Sequence, residues 1–436
     1  MNFLKVRHII FMLCFFIGCT MVTKNTEAAE PLLRIGLWEK QTNVMLSASQ
    51  PFLLRDSSSR TVVGKYPAQT KIFVSWKNGM LFIDNKPVKA TGIEMEYETE
   101  KNGLNGVFEV NRKTYRGRIL LKTAAAGMTV INALPVETYL DGVVAGEMPD
   151  DWPAEALKAQ AVAARTFALY NIGRHGSEGF DLCASTHCQV YGGAGMEQPH
   201  AVAAVEATRG QVLTYGGKLI TALFHTSSGG QTENSEDVWG SYFPYLRSVK
   251  DSDQEAPFYR WTVKYTAADI EKRLQAAGIS IGKLQAIGSS PLKDAQQAFP
   301  DRSAAGRVKK LQFIGTQGST ELSGDRVRSI FGLKSTYFDV ETMVPTDKKI
   351  DVPISPYYKK EIAVDLPPYK EKGLYTDPES LHRICGRPEE YISFAGRGWG
   401  HGLGLSQWGA KSMAKTMNYQ QILYHYYTGT EIKTKY

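Results

Sequence analysis

Gly146-Glu147-Met148-Pro149-Asp150-Asp151-Trp152-Pro153 runs into Ala154-Glu155-Ala156-Leu157-Lys158-Ala159-Gln160-Ala161-Val162-Ala163-Ala164-Arg165, so one carboxylate stands just ahead of an alanine-rich segment. Asp150 or Asp151 has the chemistry of an N-cap and Pro153 suits a first helical turn, which predicts a helix from Ala154 to about Tyr170. Leu157, Ala161, Ala164 and Ala168 recur at helical spacing and mark a buried stripe. Lys158 and Arg165 are seven apart and are expected on one helix face.

On the N-terminal side, Leu134-Pro135-Val136-Glu137-Thr138-Tyr139-Leu140 reads as the start of a short helix with Pro in its first turn. Arg118–Leu121 and Met128–Asn132 read as hairpin strands. Residues 30–115 alternate short apolar runs with turn signals at Lys77-Asn78-Gly79, Asp84-Asn85-Lys86-Pro87 and Lys101-Asn102-Gly103, the pattern of a β-rich domain. On the C-terminal side, a helix over 201–209 precedes a hairpin turned at Gly216-Gly217, which leads into His225-Thr226-Ser227-Ser228-Gly229-Gly230-Gln231-Thr232. Residues 255–345 read as an α+β insertion, with Thr266 and Ser323 as helix caps. Residues 346–389 are rich in Pro, Lys and Asp without periodicity, as in a loop or insert. The predicted fold class is α+β: an export segment over 1–28, the β-rich domain over 30–115, a mixed α/β core over 116–254, the insertion, the loop, and a C-terminal portion of the core over 390–436.

The 436 residues are 43% hydrophobic and 22% charged, enough to bury a core without a metal or disulfide for folding. Lys5 and Arg7 precede an apolar run, Ile9 to Val22, that is short for a membrane span. Three readings stay open: cleavage near Thr26-Glu27-Ala28, a lipoprotein box Phe16-Ile17-Gly18-Cys19 with Cys19 lipidated, and an uncleaved anchor. Each exports the bulk of the chain and allows membrane contact only through a lipid or that anchor. Either cleavage removes a net +2 from the net charge of +7, and the remaining mild excess of about +5 suits an anionic surface such as a cell wall. Without a basic run interleaved with aromatics, or a helix-turn-helix pattern, nucleic acid is not an expected partner.

Four constellations carry chemistry. A loop carboxyl such as Glu147 is either a plain solvated or capping group or a general acid/base. Most glycosidases need two carboxylates. Transglycosylation at muramic acid needs one, because the sugar's own C6 hydroxyl replaces water. Such an acid must hold its proton near neutral pH, whereas the expected helix N-terminus nearby would push it off. Lys158 and Arg165 either steer an anionic glycan or form a solvated face. The His225–Gly230 loop suits sugar hydroxyls, a capped turn, or a Ser–His nucleophilic pair, though no strand-Gly-x-Ser-x-Gly-helix context surrounds it.

Glycines 398, 400, 402 and 404 match no phosphate loop. Spaced by two, they leave one strand face bare, and His401 and Gln407 are candidates to line it. Cys183 and Cys188, with His187 and His175 near, allow a zinc site, a Cys183–Cys188 disulfide, or free thiols.

Taken in order, Leu134–Leu140, Gly146-Glu147-Met148-Pro149, Glu155–Thr166, Cys188-Gln189-Val190-Tyr191-Gly192-Gly193, His225–Asn234 and Gly396–Ala410 resemble the SpoIID/LytB family, the stage II sporulation protein D group. The resemblance covers about 115–345 and 390–436. It implies a lytic transglycosylase acting on peptidoglycan strands stripped of stem peptides, with Glu147 as the catalytic glutamate. It also implies Lys158, Gln160, Arg165, His225, Ser227 and Gln231 near the cleft. Some relatives hold zinc around the segment matching His187-Cys188 and others do not. A second branch enhances an N-acetylmuramoyl-L-alanine amidase, which implies a wall-binding role with that enzyme as partner. The export segment, the extra β region and the 346–389 insert depart from the family pattern and bear on the sporulation role more than on the chemistry.

Overall fold

The computed structural model of the protein describes residues 29–99, 106–292, 299–343, 351–355, 358–361, 380–384, 386 and 390–436. The segment read as an export signal, with Cys19, the Lys101-Asn102-Gly103 turn signal, Cys385 and most of the 346–389 insert lie outside the described residues.

Period-two alternation builds the first layer. Leu33 and Ile35 are buried while Leu32 and Arg34 face outward. Their strand, Leu32–Gln41, pairs antiparallel with Gly127–Pro135, placing Leu33 opposite Leu134. Gly127–Pro135 pairs in turn with Arg118–Ala124, as expected of a hairpin. These strands belong to a seven-stranded sheet, and a six-stranded sheet carries Asn43–Ala48, Ile72–Lys77 and Met80–Ile83. Asn78 and Gly79 both have positive φ (51° and 77°), the geometry that a tight hairpin with native twist requires. The expected boundary at 115/116 does not separate independent units. Strands from both sides share the seven-stranded sheet, and one apolar core joins Val44, Phe52 and Phe108 to Leu134, Leu157 and Leu423.

The helices are α1 (Val136–Glu147), α2 (Ala154–Tyr170), α3 (Pro199–Ala207), α4 (Ser235–Trp239), α5 (Ala267–Ala276), α6 (Gly324–Phe331), α7 (Gln407–Met413) and α8 (Tyr419–Tyr426). Helix α1 begins after Pro135 and is longer than the sequence suggested, so Glu147 is its last residue, not a loop residue. Helix α2 contacts α1, α3, α7 and α8, and it is buried from Ala159 through Leu169 without a break. Asp150 does not cap α2. Its carboxylate accepts the Ala201 N–H (2.8 Å) at the first turn of α3, while Pro153 stands at the α2 N-cap. Thr266 and Ser323 do cap α5 and α6.

A second core gathers Trp261, Leu274, Phe313, Phe331, Phe338 and Phe394. Its three-stranded sheet has Tyr391–Arg397 as the middle strand between Arg260–Tyr265 and Phe338–Met343, so the tail enters the insertion before it returns to the main core. Within the segment read as a loop, Asp351–Ser355 and Tyr358–Glu361 pair, and Leu381–Arg383 edges a four-stranded sheet. Among the described residues no helix is long and apolar enough to cross a membrane.

Candidate active site

Helix α1 delivers Glu147 to a cleft of about 450 Å³. Its Oε1 accepts the Val190 N–H (3.0 Å) and its Oε2 accepts from Gln407 Nε2 (3.2 Å). Burial pushes this carboxyl above its ordinary value, and the two hydrogen bonds only partly oppose that. The helix dipole acts in the sense opposite to the expected one. Glu147 lies at the carbonyl end of α1, where partial negative charge favours a retained proton. Met148 and Trp152, close to it in the chain, are buried, whereas Pro149 is exposed.

The far wall comes from two distant segments. Phe224–His225 pairs in parallel with Leu405–Ser406, and Ser227 bridges Trp399. This sets His225, His401 and Gln407 in the cleft with Glu147. The glycine run is not a strand with one bare face, because all four glycines have positive φ. A Cβ on Gly400 would stand 2.7 Å from His225 Cβ, and one on Gly402 would stand 2.6 Å from Arg307 Cζ. Only glycine therefore lets this backbone turn His401 into the wall.

His225 Nδ1 donates to the Leu403 carbonyl (3.1 Å), which leaves Nε2 as an acceptor without a protein partner. His401 Nδ1 accepts the Leu403 N–H (2.9 Å). Burial, with the fields of Arg307 and Arg328, holds His401 down to about 3. Burial and the neighbouring His401 hold His225 well below its ordinary value. Both rings are neutral at pH 7 and form part of the cleft wall.

Several expected site residues stand elsewhere. Arg165 is fully buried in a bidentate ion pair with Glu137 (2.6 and 2.9 Å) and also donates to the Val205 and Gln211 carbonyls. Lys158 pairs with Glu155 (2.7 Å) and lies 6.0 Å over the Tyr419 ring. The two cations do not share an exposed face, since α2 is enclosed by other helices. Gln160 is fully buried and does not line the cleft. Ser227 donates to Asp253 (2.5 Å), not to His225, so the Ser–His pair is not formed. Ser228 donates to Asp251, and Gln231 Nε2 donates to Ser248 (2.9 Å). The Ser227–Gln231 loop is thus a support tied down from behind by two aspartates.

Arg174, Arg328, Trp239 and Trp399 line the cleft and were not singled out from the sequence. Trp399 lies inside the Gly396–Ala410 motif, but Arg328 looks like any solvated cation on an amphipathic helix.

At one end of the cleft His175, Cys183, His187 and Cys188 gather their donor atoms within 4.8 Å of one another. The thiols of Cys183 and Cys188 are free, not joined as a disulfide. Cys183 Sγ to His187 Nδ1 and Cys188 Sγ to His187 Nδ1 are each 3.6 Å, and Cys188 Sγ to His175 Nε2 is 3.5 Å. A tetrahedral zinc with ordinary Zn–S and Zn–N lengths has S···N edges of about 3.6 Å, so the donor set fits that ion. His175 Nδ1 also meets Glu178 (2.6 Å), the carboxylate support usual behind a metal-binding imidazole.

Residues 124–215 match the family model described as stage II sporulation protein, and residues 242–352 match a domain of unknown function (DUF8618). The chain is 31% identical over 319 residues to stage II sporulation protein D of Bacillus subtilis (strain 168), covering 69% of this chain and 75% of that one. It is 31% identical over 306 residues to the amidase enhancer of the same strain, covering 67% of this chain and 40% of that one. An uncharacterized protein of Brachyspira hyodysenteriae (strain ATCC 49526 / WA1) is 29% identical over 327 residues, with 74% of each chain covered.

Proposed function

The chain belongs to the SpoIID/LytB family, and on that premise we propose that it is an exported lytic transglycosylase. It would cut between N-acetylmuramic acid and N-acetylglucosamine in peptide-stripped peptidoglycan strands. One observation carries this reading: Glu147 is the only carboxylate lining the cleft among the described residues, and its environment favours the protonated form. Among the described residues a two-carboxylate hydrolase would lack its second group in this cleft. Protonated Glu147 gives its proton to the glycosidic oxygen as the C1–O bond breaks. The resulting carboxylate then takes the proton of the muramic acid C6 hydroxyl as that oxygen bonds to C1. The products are a 1,6-anhydromuramic end and a new glucosamine 4-hydroxyl, with Glu147 reprotonated. Incubation with peptide-stripped strands should yield 1,6-anhydro ends by mass spectrometry; reducing muramic ends alone would sink the mechanism.

The rate should fall as pH rises through the pKa of Glu147, because the acid form starts the reaction. Gln407 favours the ionised form by donating to it. Gln407→Leu should therefore move the alkaline limb of kcat/KM to higher pH, even if it slows the maximum. A limb that moves to lower pH would mean that another group controls it.

His175, Cys183, His187 and Cys188 would hold zinc as a closed structural site, with all four positions taken by protein. Their loop lies two residues before Val190, whose N–H meets Glu147, so an ordered loop keeps that donor in place. Elemental analysis of the purified protein should find about one zinc per chain, and Cys188→Ser should lose it. A zinc-free parent with both thiols titratable would remove the metal from this reading.

The amidase enhancer among the relatives favours a second reading, a non-catalytic wall-binding modifier of an N-acetylmuramoyl-L-alanine amidase. Under it, Glu147→Gln would stimulate a pure amidase as well as the parent does, and neither would release anhydro ends. On either reading the site of action is the cell envelope, and the name of the sporulation relative favours a role in spore formation.

A further inference from the structure

The cleft wall facing the insertion is cationic and aromatic. Arg328, on α6, is half-buried and lines the cleft that holds Glu147. Its field is felt at both His225 and His401. Its guanidinium has no hydrogen-bond or ion-pair partner among the described residues, unlike Arg165 and Arg302, which are buried and multiply bonded. Asp325, one turn earlier on α6, acts on it through its field but forms no ion pair with it. A guanidinium drawn partly out of water without a bonded anion is costly, and a bidentate carboxylate is its best-matched partner. In the same cleft Trp239 and Trp399 leave 47% and 40% of their surface exposed. Lys334 lies 4.6 Å over the Trp399 ring and 4.0 Å over Phe258, adding a second cation at the rim. This is a surface for a polymer that offers flat apolar ring faces and negative charge together.

We propose that Arg328 is a specificity-determining residue that pairs with a free carboxylate on the glycan, so that the insertion selects which strands reach Glu147. The inference rests on the transglycosylase reading for its substrate. The lactyl ether of muramic acid ends in a carboxylate when the stem peptide is absent and in an amide when it is present. Only the first offers Arg328 an anion at the lactyl position itself.

The test uses the full chain carrying Glu147→Gln, so that strands are bound and not cut. Affinity is measured for peptide-free strands and for the same strands with their carboxylates converted to methylamides. The expected result is at least about tenfold tighter binding of the free acid, the scale of a charge-assisted bidentate pair. Adding Arg328→Gln should bring the ratio near one, chiefly by weakening free-acid binding, and an unchanged melting temperature shows that the variant is folded. Arg328→Lys should restore part of the ratio. A ratio that survives Arg328→Gln, or an equal loss for both ligands, overturns the proposal. So does a phosphate polymer that displaces the strands at lower concentration than the free-acid glycan does. Anhydro ends are assayed separately with the Glu147 parent; their absence would sink the transglycosylase reading while the binding ratio still decides the role of Arg328.

Discussion

Glu147→Gln is expected to lower the release of 1,6-anhydro ends by about 10²- to 10⁴-fold, the range for loss of a positioned acid/base. Folding should be spared. The amide keeps an oxygen for the Val190 N–H, and Gln407 can turn its own oxygen toward the new NH₂. A carboxyl whose folded pKa lies above its unfolded value contributes stability at low pH and loses it as pH rises through the folded pKa. The variant lacks that loss, so its melting temperature should equal the parent's in acid and exceed it at pH 8. Kinetics and melts on the two proteins at two pH values check both expectations. A variant that cuts as fast as the parent would remove Glu147 from the chemistry.

Arg165→Ala should have the largest effect on stability and none that is specific to the substrate. The guanidinium is buried between α1, α2 and α3 and satisfies both oxygens of Glu137, which also accepts from the Gly210 N–H and the Tyr436 hydroxyl. Removing the cation leaves an uncompensated buried carboxylate, a loss of about 3–5 kcal/mol. Urea unfolding would read it. Replacing both partners with apolar residues of similar volume, Arg165→Met with Glu137→Leu, should recover much of the loss. A stable Arg165→Ala protein with a raised KM would return Arg165 to the cleft.

Local signals carried the sequence reading far. The hairpin turn at Asn78-Gly79, the caps at Thr266 and Ser323, and the α2 segment itself all depend on residues within a few positions of one another. Glu147, His225, His401 and Gln407 were legible as candidates and do meet in one cleft. The direction of the Glu147 electrostatics was not legible, because it turned on α1 running through to that residue. Arg165 was misplaced because a cation on a helix reads as solvated until Glu137 is known to face it. Ser227 and Gln231 were misplaced because Asp253 and Ser248, which hold them, carry no local mark of that task. Arg328 was missed for the same reason in reverse: its distinction is the lack of a bonded partner among the described residues.

The parallel pairing of Phe224–His225 with Leu405–Ser406 bears on the order of events in the life of the chain. Gln407 reaches Glu147 across 260 positions, and Tyr436 reaches Glu137 across 299. A chain emerging amino end first can form both β-sheets of its first layer while half of its cleft is still being made. The cleft stays incomplete until residues 405–436 have been threaded back beside α1. Its assembly thus waits on contacts between segments that are made far apart in time.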